Sequence, residues 1–128
     1  MSPLKLNAAM LFAKDMKRMT EFYHEAFGLP FVSAASRQDW VEFDAGGVVL
    51  TLHAIPPRVA KKIEITTPPR AREETPMKLV FEVENLEQAR RHLAHHGATM
   101  FEPRGWGACD GLDPEGNVFQ IVVVPDAG

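Results

Sequence analysis

The feature that most constrains this chain is an internal repeat: its second half echoes its first at an offset of 69 to 70 residues. Asp15-Met16, after an apolar strand, matches Asn85-Leu86 seventy positions on, and each Asp or Asn is a good cap for the helix that follows. Gly28 and Gly97, sixty-nine apart, stand where each helix must stop in a left-handed conformation. Phe43 to Leu52 aligns without a gap with Leu112 to Ile121, which predicts two hairpins with the same turn. Asp113-Pro114-Glu115-Gly116-Asn117 is a strong turn, because proline presets one backbone angle and glycine accepts angles that other residues avoid.

Periodicity fills in the elements between these landmarks. Met16, Met19, Tyr23, Ala26 and Phe27 recur at three- and four-residue spacing, and Leu86, Ala89 and Leu93, flanked by Ala94, do the same in the second copy. Strands are expected at about 5 to 13, 30 to 36, 39 to 44, 47 to 54, 77 to 83, 99 to 104, 108 to 113 and 117 to 124, which makes βαβββ twice. In the last strand Phe119, Ile121 and Val123 would pack under a helix, leaving Val118, Gln120, Val122 and Val124 on the other face. That second face is also mostly apolar, so another sheet, a partner chain or a ligand must cover it.

The 128 residues, 45% hydrophobic and 24% charged, suit one globular domain spanning 1–128, with module one at 5–54, a linker at 55–76 and module two at 77–124. The linker holds Pro56, Pro57, Pro68, Pro69 and Pro76, reads as linker or lid, and has room for a short strand at Ile63-Glu64-Ile65. Over 55–75, Arg58, Lys61, Lys62, Arg70 and Arg72 against Glu64, Glu73 and Glu74 leave +2, in a chain of net charge -3. That balance, with a pI near 5.9, disfavours nucleic acid. No apolar run reaches a membrane span, and Met1-Ser2-Pro3-Leu4-Lys5 lacks a secretory core, so a cytoplasmic protein is expected. Cys109, the only cysteine, can form no intrachain disulfide; it could be a nucleophile but, with no activating partner near it in sequence, reads better as a small buried hydrophobe.

The order Phe12-Ala13-Lys14-Asp15-Met16, Phe22-Tyr23, Phe27-Gly28-Leu29, then Trp106-Gly107 before Asp113-Pro114-Glu115-Gly116-Asn117, resembles the glyoxalase/bleomycin-resistance/dioxygenase family of the vicinal oxygen chelate superfamily across nearly the whole chain. The resemblance implies an α+β fold in which tandem βαβββ modules form a half-open mixed β-barrel with helices outside and the site on the inner face. It also implies divalent-metal positions on the first and last strand of each module, which here are Ala8, Thr51, Lys78 and Gln120. An alanine methyl has no lone pair and a lysine ammonium only donates, so no metal site and no cofactor are expected.

Lys78 would bring a positive charge to that inner face, or else reach solvent from a strand edge. Gln120 could orient a ligand or only satisfy its neighbours; His53 shares parity with Thr51 and could act as an acid or base near neutral pH, or be a plain strand-end polar residue. Trp106, between Gly105 and Gly107, could stack on a planar ligand or anchor its loop. Met10 completes the candidate ligand-binding set; no catalytic residue is assigned. His92 and His96, one turn apart beside His95, could chelate a metal but read mainly as an exposed helix face, since no third ligand is evident. The expected function is binding of an anionic or aromatic small molecule by a homodimer, the alternative being a lyase or dioxygenase with an atypical metal site or metal-free chemistry.

Overall fold

Strands and one capped helix occur in each half of the computed structural model, which describes residues 3, 6–32, 37–72 and 77–123. The chain divides into two compact units, Met1–Glu64 and Ile65–Gly128. In the first, β1 (Ala8–Ala13) leads into α1 (Met16–Glu21), whose axis continues through a π-helical turn at Phe22–Ala26. β2 (Trp40–Asp44) and β3 (Val49–Ala54) follow, in sheet order β1-β3-β2, with β1 parallel and β2 antiparallel to β3. A single helical turn, α2 (Pro57–Ala60), comes next.

The second unit holds β4 (Leu79–Val83), α3 (Leu86–His95), β5 (Thr99–Met100), β6 (Ala108–Leu112) and β7 (Val118–Val123), in order β4-β7-β6-β5. Both sheets are mixed, which makes the architecture α+β. Among the described residues no helix is long and apolar enough to cross a membrane.

Each helix begins as the caps require: Asp15 accepts from the Arg18 N–H at 3.1 Å, and Asn85 from the Gln88 N–H at 2.9 Å. A helix as short as α1 is not stable alone. Met19, Phe22, Tyr23 and Ala26 hold it by burying one stripe on the side of the sheet that carries Val41, Phe43, Leu50 and Leu52. Each large side chain among them contributes about 1.5–3 kcal/mol relative to exposure. Phe22 was not part of the expected stripe. The π-turn adds one residue to the helix, so Asp15 to Gly28 spans 13 positions where Asn85 to Gly97 spans 12, and it widens the buried face enough to take Phe22. That inserted residue moves the repeat offset from 70 to 69.

The hairpins differ from the expected identical pair. In the first, the Ala45 N–H bonds the Val48 carbonyl across Gly46-Gly47, both at positive φ. In the second, Asp113 and Asn117 close around Pro114-Glu115-Gly116, one residue more. The gapless alignment is therefore wrong by one: Phe43 pairs Leu50 whereas Gly111 pairs Phe119, so β2 and β6 stand 68 apart while β3 and β7 stand 69 apart. A two-glycine turn suits a two-residue loop, and a proline-led turn ending in a left-handed glycine suits a three-residue one.

Three expected strands are shorter or absent. Of 30–36, Phe31 makes an isolated bridge to Phe43, and residues 33–36 lie outside the described residues. The 99–104 strand is cut to Thr99–Met100 plus an Arg104–Ala108 bridge, with Pro103 offering no N–H in between. Ile63-Glu64-Ile65 forms no strand; Pro57 instead starts α2, where its fixed φ suits a first helical position.

Candidate functional site

Register decides which side chains face away from the helices. In the first unit the pairings Met10↔Thr51↔Glu42 and Phe12↔His53↔Trp40 put these six residues on the open face. In the second, Val80↔Gln120↔Asp110 form the corresponding row, so Thr51 and Gln120 hold equivalent positions. Lys78, just before β4, has the same parity as Val80.

The second unit concentrates its polar chemistry on Asp110. Its carboxylate accepts from Lys78 Nζ at 3.1 and 3.2 Å, from an Arg104 terminal nitrogen at 2.9 Å and from Gln120 Nε2 at 3.1 Å. Partial burial pushes the Asp110 carboxyl up, but the hydrogen bonds from Arg104, Lys78 and Gln120 outweigh it and hold the group below its ordinary value. Two cations share one carboxylate, which leaves an excess positive charge. The side chains of Lys78 and Arg104 remain 36% and 51% exposed, so donors not used by Asp110 face solvent.

The first unit's face is aromatic. His53 contacts the Phe12 ring at 5.6 Å and the Trp40 ring at 5.1 Å between centroids. Trp40 Nε1 donates to Glu42 Oε1 at 3.2 Å. Thr51 is buried at 2% exposure, while Met10 and Phe12 are 42% and 54% exposed. Thr51 is thus a floor residue, and His53 is a ring wedged between rings.

The other candidates fall as follows. Trp106 is 62% exposed at the tip of the Arg104–Ala108 turn, on the same short loop as Arg104. Cys109 is fully buried on the helix side and donates to the Phe101 carbonyl at 3.0 Å. His92, His95 and His96 cluster at the end of α3 with ring separations of 4.6 and 5.4 Å. Sequence reasoning missed Asp110, Arg104, Glu42 and Trp40. Alternation places Asp110 and Glu42 on the open face, but only the one-residue difference between the hairpins reveals them as equivalent neighbours of Gln120 and Thr51.

The residues at the metal positions implied by the resemblance do not fit a divalent ion. Ala8 has no donor atom, Lys78 is a cation committed to Asp110, and the Gln120 amide donates to the same carboxylate. Among the described residues no three His, Cys, Asp or Glu side chains are grouped to hold a metal.

No curated protein sequence matches the chain. Solved structures do. A glyoxalase/bleomycin resistance protein/dioxygenase family enzyme from Burkholderia phytofirmans PsJN superposes with TM-score 0.73 at 22% identity, over 95% of this chain and 100% of that one. TnmS3, an antibiotic binding protein from Streptomyces sp. CB03234, gives 0.67 at 17% identity over 98% and 99%. Lactoylglutathione lyase from Agrobacterium tumefaciens gives 0.63 at 18% identity over 94% of each. At these identities the likeness is one of fold. The model of the Glyoxalase/Bleomycin resistance protein/Dioxygenase superfamily matches residues 5–121, and the chain belongs to that superfamily.

Proposed function

We propose that this protein binds a small anionic molecule on the open face of its second sheet and does so without a metal at the superfamily positions. The observation that carries the reading is the sharing of one carboxylate, Asp110, by Lys78 and Arg104. Asp110 orients both cations and neutralises only one. A carboxylate or phosphoryl group meets an ammonium and a guanidinium already positioned, which lowers the side-chain ordering cost of binding. Trp106, on the turn that carries Arg104, offers a ring face to the aromatic part of such a ligand.

The reading also makes the protein a cytoplasmic homodimer without nucleic-acid or membrane partners. Exposed Leu6 and Met77 beside the edge strands β1 and β4, and exposed Val80 within β4, support pairing of copies. A monomer in sedimentation velocity at micromolar protein would remove the dimer.

Titration with benzoate, followed by calorimetry and thermal shift, tests the site. Lys78→Met is expected to weaken benzoate binding about tenfold or more, the usual cost of one charge-assisted hydrogen bond, while retaining the fold. Unchanged benzoate affinity in Lys78→Met would overturn the assignment. Stoichiometric zinc, nickel, iron or manganese in protein purified without added ions would overturn its metal-free part.

A further inference from the structure

The first unit carries a different chemistry on its open face, and we infer that Glu42, Trp40, His53 and Phe12 form a binding site for a hydrophobic organic cation, such as a quaternary or aryl-substituted ammonium. This site lies on another sheet from Lys78 and stands independently of the anion reading.

Three observations carry it. Glu42 sits mid-strand on the open face, directly beside Thr51. Its Oε1 accepts the Trp40 indole N–H at 3.2 Å; among the described residues no lysine or arginine forms an ion pair with it. Its equivalent in the other unit, Asp110, instead has two cations. Among the described residues no cation is paired with the carboxylate, and a neutral donor holds it in place.

The surroundings are aromatic and accessible. Trp40 and Phe12 flank His53 at 5.1 and 5.6 Å, and Phe12 and Met10 remain 54% and 42% exposed. Aromatic faces attract cations through their quadrupole, tryptophan most strongly, and a nearby carboxylate supplies the long-range part of the attraction. The face already holds one such contact, because the Arg37 guanidinium lies 6.0 Å from the Trp40 ring centre. Arg37 is an exposed side chain, with only a long 3.8 Å pairing to Asp39, so a better-fitting cation can displace it. An ammonium with a bare charged head and apolar substituents matches this combination. A hydrated inorganic cation does not, because the rings offer it no oxygen ligands.

The test is fluorescence titration of the full chain in a Trp106→Phe background, where Trp40 is the only tryptophan. Benzyltrimethylammonium is expected to change the Trp40 emission saturably, and the neutral isostere neopentylbenzene at its solubility limit to produce a much smaller change. Glu42→Gln keeps an acceptor for the indole N–H and removes the charge, so it is expected to weaken ammonium binding about tenfold. Circular dichroism and thermal melting establish that this variant folds; if it does not, the salt dependence of ammonium binding to the Trp106→Phe protein carries the test. Equal response to the neutral isostere, unchanged affinity in Glu42→Gln, or affinity independent of salt would each overturn the site. Benzoate binding at Lys78 is read by a different titration, so either site can fail alone.

Discussion

Glu42 and Asp110 occupy corresponding places in two copies of one backbone pattern, each on the middle of its strand and each beside the residue that its repeat equates, Thr51 or Gln120. Their settings are opposite. Asp110 is gripped by Lys78, Arg104 and Gln120, whereas Glu42 receives an indole N–H among rings. The duplicated backbone thus supplies positions, and the side chains at and around those positions supply the chemistry. Lys78 stands where the first unit has Ala8, and Arg104 comes from a turn.

The hairpins differ in the same manner. Gly46 is in a left-handed conformation with open space around its Cα, while Gly116, also left-handed, lies under the backbone of Arg70, and the Arg72 N–H bonds the Gly116 carbonyl at 3.0 Å. The second hairpin is therefore buried beneath part of the proline-rich segment and the first is free. Arg72 also pairs with Glu115, whose side chain is 3% exposed.

The largest expected effect separates the two turns. Gly116→Ala drives a methyl into the Arg70 carbonyl oxygen on top of its backbone penalty and should cost about 3 kcal/mol or more, against about 1 kcal/mol for Gly46→Ala. Equal losses in urea denaturation would show that the overlying segment does not constrain the second turn. Next comes Arg72→Met, which removes an ion pair from a buried carboxylate and is expected to cost about 2 kcal/mol by the same measurement.

The two carboxylates provide the smaller contrasts. The folded value of Asp110 lies below its ordinary one, so its ionised form stabilises the fold. That contribution is complete above the ordinary carboxyl pKa of about 4 and is lost as pH falls through the lowered value. Asp110→Asn should cost about 1–2 kcal/mol near neutral pH and converge on the parent protein in acid, checked by denaturant midpoints across pH. Glu42→Gln should change stability by less than about 0.5 kcal/mol, since the amide oxygen still accepts from Trp40. A larger loss would mean that Glu42 is held by more than the indole.

Much of the fold was legible because its determinants are local. The Asp15 and Asn85 caps, the helical stripe through Met19 and Tyr23, and the alternation through Phe119 and Ile121 are each settled within a few residues of chain. The repeat added a check that each half placed on the other. It also concealed the extra residue of the second hairpin, because one residue added in a turn leaves the flanking patterns intact.

The site was less legible. The open-face places of Lys78, Gln120, Thr51 and His53 followed from parity, but their partners did not. Lys78 and Asp110 are 32 residues apart, and Asp110 and Gln120 meet only when β6 is set against β7 in its actual register. A sequence states which charges exist. Whether a charge is free, as read for Lys78 alone, or shared, as found at Asp110, depends on strand register, and register is decided by long-range pairing and by one residue in a turn. The βαβββ repeat and its open faces were therefore determined by sequence, and the electrostatic character of each face by tertiary structure.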